Sequence, residues 1–198
     1  MKRIIAIVAG VALMSGLVTG FAVAQDPKWT TIVDGKSMGD FTRVGSANWR
    51  VEGWSIVVDK LDGKDPAYLV TKNKYKNFQI YAEFWADEDV NSGIFLRCKD
   101  PAKIDAVLCY EVNIFDKRPD PSYGTGAIVD VAKVIPMPKA AGKWNTYEIT
   151  AQGNHFVVIL NGQKTVDVTN DRLPDAGNVA LQYGSGALKF RKVQIRSL

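Results

Sequence analysis

Three stretches of the chain place ionisable and aromatic side chains at every second position: FQIYAEFW at 78–85, SGIFLR at 92–97 and YEVNIFD at 110–116. In a β-strand, successive side chains point to opposite faces. The first stretch then sets Gln79, Tyr81, Glu83 and Trp85 against Phe78, Ile80, Ala82 and Phe84. The second sets Gly93, Phe95 and Arg97 against Ile94 and Leu96, and the third sets Glu111, Asn113 and Phe115 against Tyr110, Val112 and Ile114. If the mostly aliphatic sets form the core, the other face carries Tyr81, Glu83, Trp85, Phe95, Arg97, Glu111 and Asn113. Aromatic rings stack on the apolar C–H faces of sugars, while carboxylates, amides and guanidinium groups bind their hydroxyls. That mixture suits a carbohydrate. One such strand alone reads equally as a solvated sheet face; three that share the character point to a site. Asn91-Ser92-Gly93 adds two polar side chains at a strand start, beside a glycine that lets a ligand approach the backbone.

The run from Glu111 to Asp116 is spaced like the E-x-D-x-x-E of retaining β-glucanases on jelly-roll folds, which need two carboxyl groups about 5–5.5 Å apart. Here Asn113 stands in the middle and Asp116 at the end, and strict alternation turns Asp116 away from Glu111 unless a bulge intervenes. Ordinary glycosidase chemistry loses ground. Cys98 and Cys109 bracket a short loop, and a disulfide across its mouth is expected. Alternation counted from Arg97 and Glu111 would put the two cysteines on opposite faces, an objection that a bulge or irregular loop end removes. With one histidine and no paired ligand spacing, neither a metal site nor cysteine catalysis is expected. His155 reads as a turn residue, Trp144 as a core anchor, and Lys164 and Arg191 as solvated strand positions.

A β framework must hold these groups. Period-two alternation, broken at Gly, Asn, Asp or Pro, predicts strands at 30–33, 41–44, 49–51, 55–58, 68–71, 78–85, 93–97, 110–115, 146–152, 156–160, 163–168, 179–183 and 188–195. Asn161-Gly162, between VVIL and QKTV, predicts a tight hairpin, because both residues tolerate positive φ. Many short strands with almost no helix-period patterning indicate an all-β sandwich or jelly roll. The proline- and glycine-rich segment 116–142 is too long for a simple turn. It reads as a binding loop or as an insertion without function; in the first case Tyr123, Thr125 and Asp130 would close over a sugar.

Lys2 and Arg3, the apolar run from Ile4 and the small residues Ala22-Val23-Ala24 read as a secretory leader over 1–24, leaving one domain over 25–198. The alternative is an uncleaved anchor, which Gly10, Ser15, Gly16, Thr19 and Gly20 dilute and no charged stop-transfer cluster follows. The expected location is the periplasm or the exterior, with no stable membrane insertion once the leader is removed. Two of the 25 basic residues lie in the leader, so 23 face 21 acidic ones, interspersed and without a basic run. A nucleic-acid partner has no electrostatic footprint here.

Beyond single motifs, the ordered set IVDGKSMGDF, LVTKNKYKNFQIYAEFW, NSGIFLR, YEVNIFD, YGTGAIVDVAK, GKWNTYEITAQGN, LNGQKTVD and LQYGSGALKFRKVQIR resembles the 3-keto-disaccharide hydrolase family from about Trp29 to the C-terminus. The resemblance implies a concanavalin-like jelly-roll sandwich of two antiparallel sheets, exported from the cell and acting on glycosides oxidised at carbon 3. The sequence departs from the family pattern at Asn113, where Gln is usual, at Val129, where Tyr is common, and at Tyr183, often His. A ketone at carbon 3 acidifies the hydrogen on carbon 2, so a base can form an enolate and expel the group on carbon 1; water then adds to the unsaturated sugar. Under this scheme Glu111 is the base, Arg97 stabilises the enolate, and Glu83 or Asp116 is the acid. Tyr81, Trp85, Asn91, Ser92, Phe95, Asn113, Tyr123, Thr125, Asp130 and Gln182 are expected to contact the substrate. No cofactor is expected, although a divalent cation could replace Arg97, with Glu83, Glu111 and Asp116 as oxygen donors in no known metal spacing. The competing functions are a non-catalytic carbohydrate-binding jelly-roll module and, more weakly, an envelope protein that binds a partner through a sheet edge.

Overall fold

The computed structural model describes residues 28–198; the expected leader lies outside the described residues. Among the described residues thirteen strands follow one another, interrupted only by a short 3-10 turn at Pro121–Tyr123. They are β1 (Thr30–Val33), β2 (Phe41–Val44), β3 (Arg50–Glu52), β4 (Ser55–Val58), β5 (Ala67–Tyr75), β6 (Phe78–Ala86) and β7 (Ser92–Cys98). The rest are β8 (Tyr110–Ile114), β9 (Trp144–Gln152), β10 (His155–Leu160), β11 (Gln163–Thr169), β12 (Gly177–Tyr183) and β13 (Leu188–Ser197). Each coincides with a strand expected from alternation. Among the described residues no helix is long and apolar enough to cross a membrane.

The strands form two antiparallel sheets. The larger runs β11-β10-β9-β6-β13-β4-β3, with β1 also paired to β13; the smaller runs β2-β5-β12-β7-β8. One apolar core lies between them, where Ile80, Phe84, Tyr147, Phe190 and Val193 of the larger sheet meet Leu69, Ile94, Leu96, Val112 and Leu181 of the smaller. This is a jelly-roll sandwich. In β6 the alternation is strict, with Phe78, Ile80, Ala82, Phe84 and Ala86 fully buried and the residues between them half-buried. Asn161 and Gly162 close the β10–β11 hairpin with φ of 52° and 79°, as that dipeptide's tolerance of left-handed backbone allows.

Two features correct the sequence reading of the site face. First, β6 belongs to the larger sheet, between β9 and β13, whereas β7 and β8 lie at the edge of the smaller one. The chain crosses between sheets after β6, so Tyr81, Glu83 and Trp85 face outward on one side of the sandwich and Phe95, Glu111 and Asn113 on the other. Strands consecutive in sequence are not neighbours here. Second, β7 carries a bulge. Ala180 pairs with Phe95 and Asn178 with Cys98, so β7 spends one residue more than β12 over the same span, and Arg97 takes φ of 51°. The extra residue turns Arg97 inward. Its Nε and Nη2 donate to the Lys76 carbonyl at 2.9 and 2.5 Å, its Nη1 donates to the Leu173 carbonyl at 3.2 Å, and its guanidinium lies over the Phe156 ring. Arg97 is a structural clamp, not an enolate partner. The same bulge puts Cys98 on the face of Cys109, and the two are joined in a disulfide.

Because Arg97 satisfies two carbonyls on separate loops, that of Leu173 buried and that of Lys76 partly so, Arg97→Leu is expected to cost about 2–4 kcal/mol in urea unfolding. Arg97→Lys should recover little of this, since one ammonium lacks the fork that serves both loops at once.

Candidate active site

The outer face of the smaller sheet is built in two rows. Val44 pairs with Tyr68, Tyr68 with Gln182, and Gly93 with Asn113; extending the Ala180–Phe95 and Leu181–Ile94 register sets Gln182 opposite Gly93. In the next row Thr42, Val70, Ala180, Phe95 and Glu111 follow in order. The long loop after β8 extends this edge, with Val129 N–H donating to the Glu111 carbonyl at 2.9 Å and Asn113 N–H to the Ala127 carbonyl at 3.0 Å. Gly93 leaves the gap at the centre. A Cβ there would stand 3.1 Å from Cγ of Glu111 and 3.2 Å from its Oε1, so the carboxylate leans over bare backbone.

The surroundings of that carboxylate are unusual. Glu111 is only 7% exposed. Burial pushes its pKa up to about 7, the negative charge of Asp130 adds to the rise, and the Arg118 guanidinium opposes it. The Tyr68 ring meets Phe95 edge-on at 5.6 Å, and burial raises its phenol too, so the hydroxyl keeps its proton. Gln182 Nε2 approaches Tyr68 Oη at 3.4 Å, and Asn113 Nδ2 donates to the Tyr123 carbonyl at 2.7 Å. The amide oxygens of Gln182 and Asn113 are both buried without a hydrogen-bond partner. An unpaired buried acceptor costs roughly 1–3 kcal/mol, so two of them flanking one gap mark a place where a ligand's hydroxyls would donate.

The family described as the 3-keto-alpha-glucoside-1,2-lyase-like domain matches residues 28–196. The chain belongs to that family. No curated protein matches it in sequence. Among solved structures, a candidate glycosyl hydrolase from Parabacteroides distasonis is 23% identical with a TM-score of 0.66, over 86% of this chain and 100% of that one. The carbohydrate-binding module CBM66 from Bacillus subtilis is 14% identical at a TM-score of 0.58, covering 85% and 95%. A protein of galectin-like fold from Bacillus subtilis is 10% identical at 0.59, covering 80% and 89%. At these identities the likeness is one of fold.

Within this 3-keto-alpha-glucoside-1,2-lyase-like domain, the expected site residues separate into groups. Glu111, Asn113, Phe95 and Gln182 come together around Gly93. Glu83 does not: it accepts from Tyr81 Oη at 3.0 Å and from Arg191 Nε on the far side of the sandwich, where Trp85 also lies. Nor is Asp116 free to act as an acid. It accepts from Thr125 Oγ1 at 2.6 Å, Ala140 N–H at 2.9 Å and Ala141 N–H at 3.0 Å, and so ties the ends of the long loop together. Thr125 is consumed in the same network, and Ser92 Oγ donates to the Gln182 carbonyl at 2.7 Å. Asn91 forms a main-chain bridge to Ser185 at the start of β7. Tyr123 contributes its carbonyl to Asn113 and its ring to Lys133, while Asp130, at φ of 57°, acts on Glu111 through its charge. Among the described residues no group of three or more His, Cys, Asp or Glu is placed to hold a metal ion.

Tyr68 and Arg118 are the residues that sequence reasoning missed. The parity of Tyr68 with Val70, opposite Leu69, was available as a signal; Arg118 lies in the irregular loop, where no periodicity reports direction.

The raised Glu111 pKa carries a stability cost with a definite sign. The folded state holds this proton up to about pH 7, whereas the ordinary value is 4.5. The contribution of this group to stability is therefore intact below about pH 4, falls as pH rises from 4.5 towards 7, and then levels off. Glu111→Gln should match the wild type near pH 4 and exceed it by about 1–3 kcal/mol at pH 8 in denaturant unfolding.

Proposed function

We propose that the protein cleaves glycosides oxidised at carbon 3 by elimination followed by hydration. Glu111 takes the proton from carbon 2, and the C–H electron pair passes into the enolate of the carbon-3 ketone. The enolate collapses to a carbon 1–carbon 2 double bond as the bond to the leaving oxygen breaks; that oxygen takes up the proton held by Glu111, and water then adds across the double bond, its hydroxyl at carbon 1 and its remaining proton at carbon 2. The observation that carries this reading is a buried carboxylate with a pKa pushed up to about 7, poised as a base at neutral pH. Arg97 has no part in it. The Arg118 guanidinium supplies the nearby positive charge, and the Tyr68 hydroxyl, kept protonated by burial, supplies a donor for the enolate oxygen. The partnerless oxygens of Asn113 and Gln182 accept from sugar hydroxyls. A module that only holds sugar has no use for a carboxylate kept in this costly state, which favours chemistry over binding alone. The reading includes export to the periplasm or beyond, on the strength of the leader pattern and of a disulfide, which oxidising compartments preserve.

Incubating the protein with 3-keto-trehalose and 3-keto-glucosides, beside the unoxidised sugars, tests the proposal. Only the ketones should turn over, with kcat/KM rising through about pH 7 as Glu111 loses its proton. Glu111→Gln should reduce turnover at least about a hundredfold. Equal hydrolysis of unoxidised sugars, or full activity in the variant, would refute it.

A further inference from the structure

The aromatic and charged residues of β6 have no role at Glu111, yet they form an ordered surface on the other side of the molecule. On the outer face of the larger sheet Trp85 pairs with Trp144 of β9 and with Lys189 of β13. Four rings there each carry a cation: Lys189 over Trp85 at 5.2 Å, Arg191 over Trp144 at 4.3 Å, Lys192 over Tyr81 at 5.2 Å and Arg196 over Trp29 at 4.9 Å. Against these four basic groups stand Glu83, already bound by Arg191 and the Tyr81 hydroxyl, and Glu148. The face is positive and aromatic. Tyr81 and Trp85 are four residues apart on one strand, or roughly 13 Å, so the rings are spaced along a track, not gathered at a point.

At one end the track deepens into a groove of about 210 Å³, lined by Trp29, Gln79, Tyr81, Glu148, Thr150 and Arg196. That is smaller than the roughly 300–1,000 Å³ of pockets that enclose drug-sized ligands, and suits a single sugar ring. Its polar groups are braced: Arg196 Nε donates to Gln79 Oε1 at 2.7 Å, and Gln79 Nε2 donates to Thr150 Oγ1 at 3.1 Å. The Nη groups of Arg196 meet no acceptor among the described residues, which leaves the end of the guanidinium fork free.

We propose that this groove and the ring track beyond it bind an acidic polysaccharide, one whose sugar residues carry carboxylates. A sugar ring would lie between Trp29 and Tyr81, with its carboxylate on the free end of the Arg196 fork and its hydroxyls on Glu148 and Thr150. Guanidinium–carboxylate pairing is directional and charge-assisted, which gives acidic sugars an advantage over neutral ones. The site lies on the opposite side of the sandwich from Glu111 and does not depend on the reaction proposed there.

Affinity electrophoresis of the purified protein at low salt, through gels containing polygalacturonate, dextran or neither, tests the proposal by binding alone. Polygalacturonate should retard the protein and dextran should not, and added salt should weaken the effect. Arg196→Gln and Trp29→Ala, each with an unchanged melting temperature, should weaken retardation at least about fivefold. Retardation by dextran equal to that by polygalacturonate, or undiminished retardation in both variants, would overturn the proposal. So would capture by an oligodeoxythymidylate without capture by polygalacturonate.

Discussion

At Arg97 the backbone takes a left-handed turn inside a strand, and much of the site's character depends on it. The turn sends the guanidinium inward to clamp the Lys76 and Leu173 carbonyls. It brings Cys98 round to the face of Cys109, so that a covalent bond closes the loop between them. It also removes from the outer face the one strand-borne cation that regular alternation would have set beside Glu111. Without it, burial dominates the glutamate's electrostatics and Arg118 offsets only part of the cost. One extra residue in β7 thus separates structural from reactive chemistry.

The molecule spends stability where a reaction would need it. A buried carboxylate, two amide oxygens without partners and a glycine at the centre of a packed sheet each work against folding. Around them the scaffold is conservative: a continuous apolar core, a disulfide beside the site, and an aspartate whose oxygens bind both ends of the long loop. Unfavourable groups concentrated on one face of an otherwise well-satisfied sandwich are what a ligand-binding site requires, since the ligand supplies the missing partners.

The two outer faces use similar residue types for different ends. On the smaller sheet rings and polar groups are buried, which perturbs a proton equilibrium. On the larger sheet they are half-buried, and cations cover the rings. Groups of this kind suit recognition by charge and stacking. Depth of burial, not composition, distinguishes the surfaces.

Alternation along the chain was enough to determine the strands, the all-β class and the inward set of β6, because a two-sided sheet forces polar and apolar residues into period two. It also identified Glu111, Asn113 and Phe95 as outward-facing, and the ordered motifs pointed to the family. Periodicity cannot say which strands become neighbours, because the assignment of strands to sheets is set by crossovers that leave no local signal. Tyr81, Glu83 and Trp85 therefore seemed to join Glu111 when they lie across the sandwich from it. Nor can alternation foresee a bulge, whose single added residue reverses the direction of every side chain beyond it. Where Arg97 points, how the cysteines meet and which cation lies near Glu111 were decided by packing in three dimensions.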